Sequence, residues 1–531
     1  MDRTIQPLPA NDRKKWWILG TVSIALFMIL LDVTIVNIAI PHIMTALDVS
    51  LSSIEWVLNV YVLVFAVLLL TLGKLGDLFG RRLLFLIGLG IFTIASAGCS
   101  LAPGFDFLLV SRGIQAIGGA AMMPATLSIL NVEFKERRGL ALGVWGAVAG
   151  AANALGPIIG GALVDAFSWR YIFVINIPIG IAAIIATVLI VRESTDPKVD
   201  RHIDIPGVLV ISLALFCLTF ALVEGQSYGW TSVTIVSLFA LAFIGLIAFV
   251  FIQLKVRSPL AQLRLFRDRT FSAGNIVALI VMLGLIGVIF LMVLFLQIVL
   301  GFSAIKAGLT ILPLPIMIMV VAPFAGRLTD RLGGRWLLFS GTLISAAGIY
   351  LMSDLSANTT ETSLILPLAL CGIGIGLIMA PVTTVVMAAT PVEESGMGAG
   401  ILSTIRQVGS VMGISVLGAI LQNQLVGNVK DALAQIPQLP ASIRSQIIQM
   451  FAGGTINVGG INIPGDIPAS IQAQLTALFK TQFAISLNTS MKVGMAIVLV
   501  GAVASLFVSN RPSRSNGSEN QQDGRLEVKN K

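Results

Sequence analysis

Two ionisable residues stand inside apolar runs. Asp32 lies within a run that begins near residue 16, and Arg112 within one that begins near residue 106. A charged side chain at the centre of a membrane span costs about 2.5–3.5 kcal/mol on insertion scales and usually faces a cavity or a partner. At 1.5 Å of rise per residue, Asp32 lies roughly 13 Å below the end of its helix near Pro41, and Arg112 roughly 9 Å below the start of its own near Asp106. The depths match, so a direct or water-bridged pair is feasible. An isolated buried carboxylate keeps its proton, whereas a neighbouring arginine favours the ionised form. A carboxylate between these limits can take up a proton and release it. Asp32 is therefore the candidate protonation and solute-coupling residue, with Arg112 tuning it. Gln115, three residues on and on the same face as Arg112, is a candidate cavity residue. Asn37 is a further polar candidate on the Asp32 helix, roughly 140° round from it. Arg406, followed by Gln407, is the other intramembrane cation and a candidate for a polar cavity role in the second half of the chain; bonding to a neighbouring helix would account for it equally well.

A second set of residues carries mechanical chemistry. Gly73, Gly76, Asp77, Gly80, Arg81 and Arg82 reappear without a gap, 253 residues later, as Gly326, Thr329, Asp330, Gly333, Gly334 and Arg335. Glycines let helices and a tight loop approach closely. Asp77 can cap a helix start and pair with an arginine of a neighbouring helix, while Arg81 and Arg82 anchor one membrane face. The set reads as a gating loop or latch, because charges placed only for topology would not explain the Gly and Asp spacing or the second copy. Farther on, Gly156, Gly160 and Gly161 surround a kink at Pro157. They offer a close seam against a helix of the other half, and Asn153 could bond across it.

The elements that hold these residues follow from composition. Of 531 residues, 56% are hydrophobic and 11% charged, and the mean hydropathy is +0.94. Soluble chains carry about 25% charged residues, so a set of soluble domains is excluded and an all-α integral membrane protein is expected. Fourteen apolar runs lie between residues 16 and 508. With the N-terminus inside, 26 of the 34 basic residues fall in inner segments and 6 in outer ones, so both termini face the cytoplasm. The repeat spacing gives two six-helix bundles plus two inserted helices. The expected divisions are a cytoplasmic N-terminus over 1–15, a first bundle over 16–200, an inserted pair over 201–256, a second bundle over 257–508 with an outer loop at 423–483, and a disordered cytoplasmic tail over 509–531. The net charge of +8 sits in short loops, which argues against nucleic acid. Cys99, Cys217 and Cys371 lie in or beside apolar runs and read as packing residues. No Gly-rich ATP loop is present, and the two histidines make no metal set, so no cofactor or metal is expected and the energy must come from an ion gradient or from the solute's own gradient.

These motifs resemble those of the major facilitator superfamily, of which the pattern at 73–82 is typical. Asp32, Thr34, Asn37 and Pro41 in span one, Arg112, Gln115, Gly118 and Gly119 in span four, and the span-five set Asn153, Gly156, Pro157, Gly160 and Gly161 are similar to those of its fourteen-helix drug:proton antiporters. So is the stretch from Trp169 through Arg170, Asn176 and Pro178 to Gly180. The span-five motif departs from the pattern in having Ala152 where Gly is usual, and the second latch copy has Thr329 in place of Gly76. The resemblance implies the major facilitator fold with 14 transmembrane helices, alternating access, and a bacterial-type plasma membrane. It also implies proton-coupled export, by a monomer in contact with membrane lipid, of hydrophobic compounds that are cationic or amphiphilic. A transporter dedicated to one solute, or a non-transporting sensor or scaffold using the outer loop, are the alternative expectations.

Overall fold

The computed structural model describes residues 10–49, 51–135, 137–194, 202, 204–256, 258–434, 444–445 and 469–509. Among these the regular structure is helical. In order, the helices are α1 Ala10–Leu47, α2 Leu51–Phe79, α3 Arg81–Ser100, α4 Phe105–Glu133, α5 Arg138–Ala166, α6 Tyr171–Val174, α7 Asn176–Ile190, α8 Ile205–Tyr228 and α9 Val233–Lys255. There follow α10 Arg269–Leu294, α11 Ala304–Ile311, α12 Pro313–Leu332, α13 Arg335–Leu351, α14 Glu361–Ala388, α15 Ser395–Ala434 and α16 Ala469–Ser505. The pairs α6–α7 and α11–α12 each make one broken span. Among the described residues thirteen stretches are long and apolar enough to cross a membrane, and α13 is a shorter apolar helix. With no water in the bilayer core, a spanning backbone must satisfy its own hydrogen bonds, which leaves helix as the only form for runs this apolar.

The first six spans pack as a ring in which α1 lies between α5 and α7, and α4 between α2 and α3. Among the last six, α12 packs on α14, α14 on α13, and α10 on both α15 and α16. The two sets meet where α5 lies along α12 and where α2 lies along α15. Helix α8 packs on both α2 and α15, so it lies over that second seam, while α9 leans on α8 and is mostly exposed. The start of α8 is fastened to the end of α9: Asp204 caps Gly207 N–H at 2.8 Å and accepts from Gln253 Nε2 at 2.6 Å.

Two expectations are corrected here. The gating loop is almost entirely helix. Gly73 and Asp77 lie in the last turns of α2, Arg81 and Arg82 begin α3, and Asp330 is in the last turn of α12. Only Gly80 is left between α2 and α3, at φ 118°, a backbone region that favours glycine. The outer loop at 423–483 is likewise invaded by helix from both sides, up to Ala434 and from Ala469. Leu421, Leu425, Val429 and Leu433 recur every fourth residue and share a buried cluster with Leu475, Phe479 and Phe483. This amphipathic pairing has polar outer faces, which lower the hydropathy without breaking the helices. The middle of that segment, the tail from 510, residues 1–9 and the divisions at 200–201 and 256–257 lie outside the described residues.

Candidate functional site

Asp32 sits at the centre of a closed polar cluster in the first six spans. Its Oδ2 accepts from Arg112 Nη1 at 2.5 Å. Its Oδ1 accepts from Gln115 Nε2 at 2.9 Å and from Asn176 Nδ2 at 3.0 Å. Gln115 uses both ends of its amide: Oε1 accepts from Arg112 Nη1 at 2.5 Å, and Nε2 also donates to Ser96 Oγ at 2.8 Å. The Arg112 guanidinium lies 4.5 Å from the Tyr61 ring centre and 5.7 Å from that of Phe173, within cation–π range. Asp32 and Arg112 are 1% exposed, and Gln115 and Asn176 are fully buried. Taking a charge pair out of water is tolerated only where every remaining lone pair and proton finds a partner, and the two amides meet that demand on Oδ1.

Six helices contribute. Asp32 comes from α1, Tyr61 from α2, Ser96 from α3, Arg112 and Gln115 from α4, Phe173 from α6 and Asn176 from α7. The break between α6 and α7 falls at Ile175. Pro178, two residues on, lacks a backbone N–H and is tolerated in a first helical turn. The break sets Asn176 at the start of α7, within reach of Asp32. The amide of Gln115 therefore ties Arg112 to Asp32 and does not line an open cavity. Tyr61 and Asn176 were absent from the sequence candidates for this cluster. A lone Asn inside an apolar run, as at 176, is the signal that marks such a residue, by the same logic that marks Asp32.

At one end of the bundle the two Asp copies of the latch cap helices across the seams. Asp77 accepts from the N–H groups of Gly396 and Met397 at 2.8 and 2.7 Å, at the start of α15, and pairs with Arg81 at 3.1 Å. Arg81 Nη2 also donates to the Val392 carbonyl at 2.6 Å. Asp330 accepts from the N–H groups of Gly139 and Leu140 at 2.8 and 3.1 Å, at the start of α5. Asn131 of α4 donates to Ser395 at 2.6 Å at this same end. Arg82 donates to the Val188 carbonyl at 2.9 Å.

The span-five glycines divide between two partners, α1 of their own half and, as expected, a helix of the other half. A Cβ at Gly156 would collide with Thr34, and one at Gly160 would press on Ile35, so these two seat α5 against α1. Pro157 and Gly161 meet Gly308 and Ile305 of α11. The close seam of α5 with the last six spans lies earlier, at Gly139, Gly143 and Gly150, against Gly326, Ala322 and Pro315. Asn153 is exposed and makes no hydrogen bond among the described residues, so it does not bond across the seam.

Residues 22–414 match the Major Facilitator Superfamily. The chain belongs to that superfamily. It is 33% identical over 498 residues to the tetracenomycin C resistance and export protein of Streptomyces glaucescens, covering 93% of this chain and 91% of that one. It is 32% identical over 522 residues to the multidrug transporter protein MdtP of Bacillus subtilis (strain 168), covering 96% of each. Among solved structures, it shares the fold of a bacterial homolog of the human lysosomal transporter Spinster. That likeness has a TM-score of 0.53 at 16% identity and covers 95% of this chain and 99% of the other. The protein is a multi-pass membrane transporter of the superfamily and not an enzyme.

The remaining polar candidates of this facilitator stand apart from Asp32. Asn37 is exposed and donates to the Val33 carbonyl of its own helix at 3.0 Å. Arg406, on α15, donates through Nη2 to Thr383 Oγ1 at 2.5 Å and to the Met379 carbonyl at 3.3 Å, both on α14. Gln407 beside it is half-buried and has no hydrogen-bond partner among the described residues.

Proposed function

We propose that this facilitator exports hydrophobic, amphiphilic small molecules of the drug and antibiotic class across a bacterial plasma membrane in exchange for protons. It works by alternating access, the bundles over 16–200 and 257–508 rocking against each other, with the latch end and both termini in the cytoplasm. The observation that carries the reading is the Asp32 carboxylate, fully buried yet held by Arg112, Gln115 and Asn176. A proton arriving on Asp32 removes the charge that orients all three donors, so protonation and the packing of α1, α4 and α7 are linked. The closed cluster also keeps Asp32 away from solute, which favours a coupling role over direct solute contact. The latch supports the mechanical half of the reading, since Asp77 and Asp330 tie the two sets of spans together at the latch end. The export and resistance roles in the relatives' names support the cargo class.

Everted membrane vesicles with an imposed pH gradient test the proposal. Wild type is expected to concentrate at least one of a panel of fluorescent amphiphiles of either charge, and Asp32→Asn, at equal protein level, to lose this accumulation. Equal accumulation by both would remove Asp32 from coupling. Absence of gradient-driven movement of any amphiphile in wild type would remove the exporter reading itself.

A further inference from the structure

We infer that the polar stripe of α15 around Arg406 is a solute subsite that takes an acidic group, a carboxylate, sulfonate or phenolate, of an amphiphilic substrate. The inference rests on the exporter reading and names the substrate class it would serve.

Residues 395, 399, 403, 406 and 410 are spaced by four, four, three and four, and so lie on one face of α15. Its lower part is turned to the first six spans: Ser395 accepts from Asn131 of α4, and Ala399 packs in their apolar cluster. The same face continues away from the latch as Ser403, Arg406 and Ser410, flanked by Gln407. Exposure rises along it, from Ser403 at 4% to Arg406, Gln407 and Ser410, which are half-buried. The stripe thus emerges between the two sets of spans where their latch contacts end.

Its hydrogen-bonding capacity is conspicuously unmet. Arg406 Nε is buried without a partner, and so are the hydroxyls of Ser403 and the adjacent Thr404. The Gln407 amide also lacks a partner among the described residues. Arg406 has two acceptors, both neutral, and no carboxylate within 4.0 Å among the described residues. Asp32, by contrast, already has its arginine. A guanidinium is always charged and presents a planar fork of donors that matches an oxyanion. A buried donor without a partner is costly, and an unpaired charge more so. A packing role would call for an acid that the protein itself supplies, as Asp32 is supplied for Arg112 beside Gln115 and the Val57 carbonyl. At Arg406 the missing partner is an anion, and Gln407 and Ser403 add neutral donors on the same side of the helix. The apolar body of the molecule would then lie along the surrounding helices.

The test is equilibrium binding to the full-length protein in lipid nanodiscs, without a gradient. It uses three fluorescent probes that share one apolar body: pyrenebutyrate, pyrenebutanol and a pyrenebutyl trimethylammonium salt. Wild type is expected to bind the carboxylate about tenfold more tightly than the alcohol, the gain of a charge-assisted hydrogen bond, and the cation no better than the alcohol. Arg406→Gln should abolish the carboxylate preference while keeping affinity for the alcohol, which also certifies its folding. Arg406→Lys should restore part of the preference. Wild type binding the cation as well as the carboxylate overturns the inference, whatever the variants do, and so does an unchanged carboxylate preference in Arg406→Gln. Because no pH gradient is used, failure of proton-driven transport would leave this result standing, and the converse also holds.

Discussion

Asp77 and Asp330, 253 residues apart, do the same job on opposite seams. Each caps the first turn of a helix from the other set of spans, Asp77 on Gly396 and Met397 and Asp330 on Gly139 and Leu140. A carboxylate at a helix start satisfies orphan N–H groups and meets the positive end of the helix dipole. The two differ in one respect: Asp77 is also paired directly with Arg81, which itself reaches the Val392 carbonyl, whereas Asp330 has no direct ion pair among the described residues and feels only the more distant charge of Arg138.

That asymmetry predicts unequal effects. Asp77→Asn removes charge from two capping bonds and from the Arg81 pair; Asp330→Asn removes it from two capping bonds and from a longer-range attraction to Arg138. Losses of about 1–3 kcal/mol are expected for charged hydrogen bonds. Hydrogen exchange should rise in the first turn of α15 in Asp77→Asn, and by less in the first turn of α5 in Asp330→Asn. Equal protection of both turns in the variants and wild type would mean that the caps do not hold the latch.

Glycine requirements along the seams divide sharply. A Cβ at Gly73 would lie 2.5 Å from the Gly396 carbonyl oxygen and 2.9 Å from Gly400 Cα. Both are backbone atoms that cannot swing aside. Gly20, in α1, has nothing within 4 Å of the same position. Gly73→Ala is expected to destabilise by about 1–3 kcal/mol, the cost of overpacking, and to weaken transport. Gly20→Ala should be neutral or stabilising by up to about 1 kcal/mol from helix propensity. Melting temperatures of the two variants in detergent check this directly; similar values would show that the α2–α15 seam can yield.

The pairing of Asp32 with Arg112 was legible because depth along a helix is simple arithmetic once both ends of an apolar run are visible. The latch repeat was legible because both copies cap a helix start, a task that fixes the residue type and spacing. What lay hidden depends on tertiary geometry. Asn176 reaches Asp32 only because the chain breaks at Ile175, and periodicity does not reveal where a helix breaks. The seam of α5 with the other half was placed at Gly156, Gly160 and Gly161; Gly161 does meet α11, but Gly156 and Gly160 pack on α1, because a run of glycines announces a close approach without naming the partner. Beyond Gln422 the outer loop had helix-like composition at 429–450 and 467–481, but the continuity of α15 and α16 with those stretches was not visible, because their apolar residues keep to one face and are too sparse to read as a span.

The buried pair itself predicts strong coupling between its members. Asp32→Asn leaves the Arg112 charge buried without its acid, and Arg112→Gln leaves the Asp32 charge without its base. Either change is expected to cost about 3–5 kcal/mol of stability. The double variant should cost about 1–3 kcal/mol less than the sum, since neutral amides at both sites strand no charge. Denaturation of the four proteins in one detergent measures the cycle. Additive losses would show that Gln115 and Asn176, not the ion pair, hold the cluster together.

The inserted helices offer a separable test. Asp204, 5% exposed, holds Gly207 N–H and Gln253 Nε2, and Gln253 Oε1 accepts from Ala261 N–H at 3.1 Å. One carboxylate and one amide thus join the start of α8, the end of α9 and the chain leading to α10. Asp204→Ala removes the cap and strands the Gln253 amide, at an expected cost of about 1–3 kcal/mol. The loss should be local: faster hydrogen exchange over 205–210 and 258–263, with the Asp32 cluster, which shares no residue with this junction, still protected. Faster exchange in α1 and α4 as well would show that α8, lying on α2 and α15, steadies the bundle it covers.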